Sequence, residues 1–210
     1  GTALELGEST DNIYFLDKAE SNAQNTIELG SGNDKIAVDL STNSQNSILG
    51  ESGNDQIKFL GKKITANEII DGGDGIDTVI IEQSQNNLFN FLDIEKLILK
   101  NNASGNNSFS TIDGPISVIL ESGRNGNPSN FSILELPGFS NITVSNSPGE
   151  TSGLGEFSAT YQNFEVNDVI NIETSKSLGD FYTKNIGLLT INFKDQTNMS
   201  NNDFKFDNTT

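Results

Sequence analysis

A repeat of about 22 residues constrains this chain more than any other feature, because like residues at a fixed period stack on one another. Gly30-Ser31-Gly32-Asn33-Asp34-Lys35-Ile36-Ala37-Val38 recurs as Glu51-Ser52-Gly53-Asn54-Asp55-Gln56-Ile57-Lys58-Phe59 and again within Gly72-Gly73-Asp74-Gly75-Ile76-Asp77-Thr78-Val79-Ile80. A weaker copy, Gly7-Glu8-Ser9-Thr10-Asp11-Asn12-Ile13-Tyr14-Phe15, opens the chain. The aspartates Asp11, Asp34, Asp55 and Asp77 are thereby spaced by 23, 21 and 22 residues. The intervening stretches repeat as well: Asn22-Ala23-Gln24-Asn25-Thr26-Ile27 matches Asn43-Ser44-Gln45-Asn46-Ser47-Ile48, and Ala66-Asn67-Glu68-Ile69 follows more loosely.

Each unit carries two short segments in which apolar residues alternate with others, as in Ile27 with Leu29 and Ile36 with Val38. That alternation marks strands with one buried face. Two strands and two turns make one rung of a coil, and a single rung cannot bury its own apolar stripe, so only the stack is stable. The expected fold class is all-β: a parallel β-roll or β-helix solenoid, followed by further short β-strands. Parallel stacking predicts one interior ladder of Ile13, Ile36, Ile57 and Val79, and another of Ile27, Ile48 and Ile69.

The segment Gly72–Ile80 matches in full the Gly-Gly-x-Gly-x-Asp-x-apolar-x nonapeptide of RTX proteins, and the segments from Gly30 to Val38 and from Gly50 to Lys58 match it in part. Residues 7–100 therefore resemble the RTX calcium-binding repeat family, of the bacterial surface-layer and adhesin type. In that family the first six motif residues form a calcium-binding turn and the last three a short strand. The resemblance implies that Asp34, Asp55 and Asp77 supply side-chain oxygens between adjacent rungs. It implies that Gly30, Gly32, Gly53, Gly73 and Gly75 supply turn carbonyls, with Glu51 standing in where a motif glycine is missing. Asp11 sits in the degenerate copy, as a weak site or a cap. The period is longer than the 18 residues of a regular RTX rung and the motif falls on one edge only, so one row of calcium ions is expected.

Elementary electrostatics leads to the same place. Carboxylates stacked about 5 Å apart with no counter-ion repel by ~3 kcal/mol per pair at an effective dielectric near 20. Calcium accepts carboxylate and carbonyl oxygens alike, and glycine lets a carbonyl approach without a side chain in the way.

Residues 1–100 form the repeat unit, ending in Phe91-Leu92-Asp93-Ile94-Glu95-Lys96-Leu97-Ile98-Leu99, which resembles the Ile/Val-Glu-x-Leu-x-Leu strand that follows RTX blocks. Residues 101–210 form a β-rich module beyond the polar loop Asn101 to Asn107, either a continuation of the coil, which is favoured, or a β-sandwich. Strands are expected at 116–121, 131–136, 141–145, 156–161, 168–173, 188–193 and 203–206, with turn signals at Pro137-Gly138, Pro148-Gly149 and Asn125-Gly126. No helix is expected. Phe109, Phe139 and Phe164 read as packing residues.

The charge narrows the choice of partner. With 29 acidic and 12 basic residues the formal net charge is -17, so nucleic acid and anionic lipid are repelled. No apolar run approaches the ~18 residues of a membrane span. Cysteine and histidine are both absent, which removes disulfides, thiolate metal sites and nucleophilic triads. The acidic residues sit at turns, where a cation or solvent accounts for them better than catalysis, and no enzymatic activity is expected. Asn-x-Ser/Thr sequons at Asn102, Asn106, Asn130, Asn141, Asn198 and Asn208 are no more than such a composition supplies by chance.

The resemblance implies a piece of a longer polypeptide, secreted to the bacterial cell surface through type I export and folded there by external calcium. Its expected cofactor is Ca²⁺. Its expected partners are itself or neighbouring domains, and in the adhesin reading a cell-surface glycan. A non-catalytic calcium module of an exported enzyme is the third reading.

Overall fold

The computed structural model describes residues 3–16, 24–39, 45–60, 64–65, 67–83, 87–102, 105–112, 114–122, 129–146, 154–174, 181–193 and 204–207. The turn signals Asn125-Gly126 and Pro148-Gly149, the repeat residues Asn22, Ala23, Asn43, Ser44 and Ala66, and the sequons Asn198 and Asn208 lie outside them. No helix occurs among the described residues.

In chain order the strands are β1 (Ala3–Glu5), β2 (Asn12–Leu16), β3 (Gln24–Glu28), β4 (Lys35–Asp39), β5 (Gln45–Leu49), β6 (Gln56–Phe59), β7 (Ile69–Asp71), β8 (Thr78–Gln83) and β9 (Asn87–Leu88). They continue as β10 (Phe91–Leu92), β11 (Lys96–Asn102), β12 (Gly105–Ser108), β13 (Ser117–Ser122), β14 (Ser129–Leu136), β15 (Asn141–Asn146), β16 (Leu154–Thr174), β17 (Phe181–Phe193) and β18 (Phe204–Asp207). The first four odd strands and β10 form a five-stranded sheet in the order β1-β3-β5-β7-β10, and the first four even strands start a second, longer sheet running β2-β4-β6-β8-β11-β13-β15-β16. The result is a parallel β-solenoid.

Register follows from the repeat. Ile13, Ile36, Ile57 and Val79 stand opposite one another in β2, β4, β6 and β8, as expected, and the ladder runs on through Leu97, Val118, Ile142, Ile170 and Leu189. Among these, Ile36, Ile57, Val79, Leu97, Val118, Ile142 and Ile170 are buried. Amide side chains repeat alongside: Asn25 Nδ2 donates to Asn46 Oδ1 at 2.8 Å and Gln24 Nε2 to Gln45 Oε1 at 2.9 Å. Such ladders explain why Gln-Asn-Thr/Ser-Ile recurs, since each amide finds its own copy one rung away.

The second ladder needs a correction. Ile48 pairs with Ile70, whereas Ile69 pairs with Ser47 and is 41% exposed. Side chains alternate across a strand, so a one-residue slip moves the whole apolar set to the other face, and burial chooses Ile70. Ile70→Ala is therefore expected to cost about 2–5 kcal/mol in chemical denaturation, whereas Ile69→Ser should stay within about 0.5 kcal/mol. Equal losses at the two positions would contradict this register.

The coil continues past residue 101. β13 pairs in parallel with β11, β15 with β13 and β16 with β15, all stacking onto the same long sheet, so a β-sandwich is excluded. The strands there are not all short. Leu154–Thr174 merges the two segments expected at 156–161 and 168–173, and its first half pairs with β14 while its second half pairs with β15. In the previous rung the same corner is broken by Pro137-Gly138, with left-handed backbone at Glu135 (φ 58) and Phe139 (φ 62). Between Glu156 and Thr174 there is neither glycine nor proline, and the chain passes the corner as extended strand with shifts in register.

Aromatic packing fills the middle of the coil: Phe89 lies 4.9 Å from Phe91 and 5.0 Å from Phe109, ring centre to ring centre. Phe109 is buried as expected, but Phe139 is 59% exposed at its left-handed turn, where the chain reverses outward. The side chain of Phe164 lies outside the described residues.

Candidate metal centre

The glycine-rich turns stack on one edge of the coil. Ser31, Ser52 and Asp74 form parallel bridges from rung to rung. Gly32 N–H donates to Ser52 O at 2.9 Å and Gly53 N–H to Asp74 O at 2.8 Å. The backbone is left-handed at Gly30 (φ 88), Glu51 (φ 71) and Gly73 (φ 81), so Glu51 adopts a conformation that its neighbours in the column reach as glycine. Two residues later, at Gly53 and Gly75, a Cβ would lie 1.5 Å from Gly32 O and 1.7 Å from Gly53 O. No side chain fits there, which is why the motif keeps glycine at that offset.

Stacking brings Asp34, Asp55 and Asp77 into one column, at 0%, 2% and 0% exposure. In each carboxylate the two oxygens have separate roles. Oδ1 of Asp34 accepts the Asp11 N–H at 2.6 Å, Oδ1 of Asp55 accepts the Asp34 N–H at 2.8 Å, and Oδ1 of Asp77 accepts the Asp55 N–H at 2.7 Å. Every carboxylate thus ties itself to the rung before it and is held in one orientation. The other oxygen, Oδ2, is buried in all three residues and has no hydrogen-bond donor. A buried ionised oxygen with no partner costs several kcal/mol, so it takes up either a proton or a cation.

The surroundings of those oxygens favour a positive guest. Gly72 O and Asp55 Oδ2 lie 2.3 and 2.6 Å from the point where a Cβ on Gly50 would sit. Asp93 O and Asp77 Oδ2 lie 2.1 and 2.7 Å from the corresponding point on Gly72. Each glycine thus lets a carbonyl and a carboxylate oxygen converge with no donor between them. Among the described residues no three acidic side chains gather at one place. A cation here would be held by one or two carboxylates and by backbone carbonyls, a donor mix that suits calcium. On these two observations the residues fit a calcium ion.

The motif residues take different parts. The carbonyls of Gly30 and Glu51 accept the N–H groups of Ser52 (3.2 Å) and Asp74 (2.8 Å). Those of Gly32 and Gly53 face the next rung's glycine. Asp11 offers its N–H to the column, while its carboxylate meets Ser9 Oγ at 3.4 Å, the arrangement of a cap.

Three groups escaped the sequence reading: the Gly72 and Asp93 carbonyls and the Glu95 side chain. Glu95 Oε2 accepts the Asp77 N–H at 2.7 Å and so continues the column. It comes 18 residues after Asp77 and is of a different type, so neither the period nor the motif points to it. The only signal was the acidic residue just before the strand at 96. Two rungs later, Ser140 Oγ accepts the Ile116 N–H at 2.9 Å, a hydroxyl in the same structural role.

Burial pushes the Asp77 carboxyl up from the ordinary 3.8 to about 6, against the lowering effect of the Asp55 N–H; the charges of Asp55, Glu95 and Asp71 push it further the same way. Burial likewise raises Asp55, opposed by the Asp34 N–H and aided by the Asp34 charge. A folded-state value above the unfolded one means that folding favours the protonated form. The stabilisation is complete below about 3.8 and is lost as pH rises through about 6. In EDTA, the thermal midpoint is expected to rise as pH falls across that interval, and Asp77→Asn should flatten the rise. With calcium present the trend should reverse, because protons compete for the same oxygens. A midpoint that ignores pH in EDTA would contradict the assignment.

No family model, curated protein or solved structure matches the chain.

Proposed function

We propose that this chain is a calcium-dependent structural segment of a secreted bacterial surface-layer protein, in which external calcium neutralises the carboxylate column and drives folding. The observation that carries the reading is the trio of buried, donor-free oxygens on Asp34, Asp55 and Asp77. The RTX-like motif around them supports it. So does the acidity of the chain, which gives no attraction for nucleic acid or anionic lipid.

In this reading Asp34, Asp55 and Asp77 hold the ions through Oδ2, and the Gly72 and Asp93 carbonyls complete the set around Asp55 and Asp77. A bound ion would supply positive charge that cancels repulsion along the column. In the folded stack the N–H groups of Asp11, Asp34 and Asp55 occupy each Oδ1 and so leave Oδ2 for the ion. Extracellular modules bind calcium at about 10⁻⁴–10⁻³ M, far above its cytosolic level, so the segment would stay unfolded inside the cell and fold outside. Among the described residues β1 and β2 each pair along one edge only, which suits a neighbouring copy in an array.

Circular dichroism during calcium titration, followed by EDTA reversal, tests metal-dependent folding. Negative-stain microscopy with and without calcium tests the array. Folding that requires calcium but never yields ordered sheets would retain the calcium reading and discard the surface-layer one. Binding to a glycan array would then favour the adhesin reading.

A further inference from the structure

The carboxylate column does not end where the glycine-rich motif ends. β10 and β11 fix the two ends of the next turn: Leu92 stands opposite Asp71, and Lys96 stands opposite Thr78. Between them lie only Asp93, Ile94 and Glu95, where the preceding rung has Gly72 to Asp77. The turn is half as long, and the acidic residue in it is a glutamate, one methylene longer than the aspartates before it. Its Oε2 receives the Asp77 N–H at 2.7 Å, the same contact that Asp77 Oδ1 makes to the Asp55 N–H at 2.7 Å.

Two further observations point to a ligand at this level. Asp77 is fully buried and its Oδ2 has no donor. The Asp93 carbonyl converges with that oxygen at Gly72, and the non-glycine Asp93 takes left-handed backbone (φ 46) at the same spot. Beside this group opens a cleft of about 390 Å³ lined by Leu92, Asp93, Glu95, Thr111, Gly114 and Pro115.

We propose that Asp77, Glu95 and the Asp93 carbonyl hold a terminal divalent cation, one rung beyond the last glycine-rich turn, which exchanges with solvent through the cleft. The inference rests on the calcium reading above. It deepens that reading at its last ion, the one at Asp77, by assigning Glu95, which the glycine-rich motif does not mark, as a ligand and not merely an end-cap of the strand. This site faces an open cleft, whereas Asp34 and Asp55 have glycine-rich turns stacked on both sides, so it should be the weakest and fastest-exchanging of the row.

The test is calorimetric titration of calcium chloride into the full chain and two variants. Glu95→Gln keeps an acceptor for the Asp77 N–H but removes the charge, and should lose about one equivalent, the weakest, while the others are unchanged. Gly114→Lys places an ammonium in the cleft at a position where an added Cβ meets nothing within 4 Å. It should weaken that same equivalent about tenfold or more by charge repulsion. If both variants bind as the wild type does, Glu95 is not a ligand and the inference falls while the calcium reading stands. If the wild type takes up no calcium, both fall together. Should Glu95→Gln fail to fold even in saturating calcium, Gly114→Lys decides alone, and an unchanged isotherm overturns the proposal.

Discussion

Removing calcium with EDTA at neutral pH is expected to lower the thermal midpoint of the repeat region to near room temperature, and restoring calcium to raise it again. At free calcium a hundredfold above its dissociation constant, each site adds about 2.7 kcal/mol to stability. Ions at Asp34, Asp55 and Asp77 would together add about 8 kcal/mol on that scale, comparable with the whole stability of a typical domain at about 5–15 kcal/mol. Without them the column is three buried carboxylates in mutual repulsion, and only protonation relieves it. The sharpest probe is Asp55→Asn. It retains an oxygen for the Asp34 N–H but deletes the charge, so it should stabilise the protein in EDTA and destabilise it in calcium. That change of sign separates an ion site from an ordinary buried hydrogen bond, whose loss has one sign in both buffers. Thermal melts that coincide with and without calcium, in wild type and variant alike, would refute the calcium reading.

Gly53→Ala is expected to be the most damaging single methyl group that can be added to the coil. At φ 132 an L-residue is strained, and the new Cβ would lie 1.5 Å from the Gly32 carbonyl oxygen, backbone that cannot rotate away. The two rungs must separate, which breaks the bonds from Gly32 N–H to Ser52 O and from Ser52 N–H to Gly30 O. Strain and lost bonds together suggest about 4 kcal/mol. Gly7→Ala, where the added Cβ meets nothing within 4 Å, should remain within about 0.5 kcal/mol. Urea denaturation in saturating calcium compares the two, and a Gly53→Ala protein as stable as Gly7→Ala would show that the turns are not in contact.

Neither expectation depends on the second half of the chain, where the glycine-rich motif does not recur. Glu95 and Ser140 show how the edge is finished there: a longer acid in a shorter turn, then a neutral hydroxyl, each still receiving an N–H from the rung before. Beyond residue 100 the stack is carried on by its buried apolar ladders, Leu97-Val118-Ile142-Ile170 and Leu99-Leu120-Val144.

By itself the sequence determined the parallel stack, the Ile13-Ile36-Ile57-Val79 ladder and the alignment of Asp34, Asp55 and Asp77. A residue repeated at a constant offset can only lie above its own copy when the rungs are wound in parallel. Tertiary structure alone decided which of Ile69 and Ile70 faces inward, that Glu95 joins the column, and that the coil runs on through Leu154–Thr174 without a corner. Those outcomes turn on differences in rung length. A turn shortened by a few residues shifts every later position, and the position a side chain then occupies depends on the neighbouring rung in space, not on its distance along the chain.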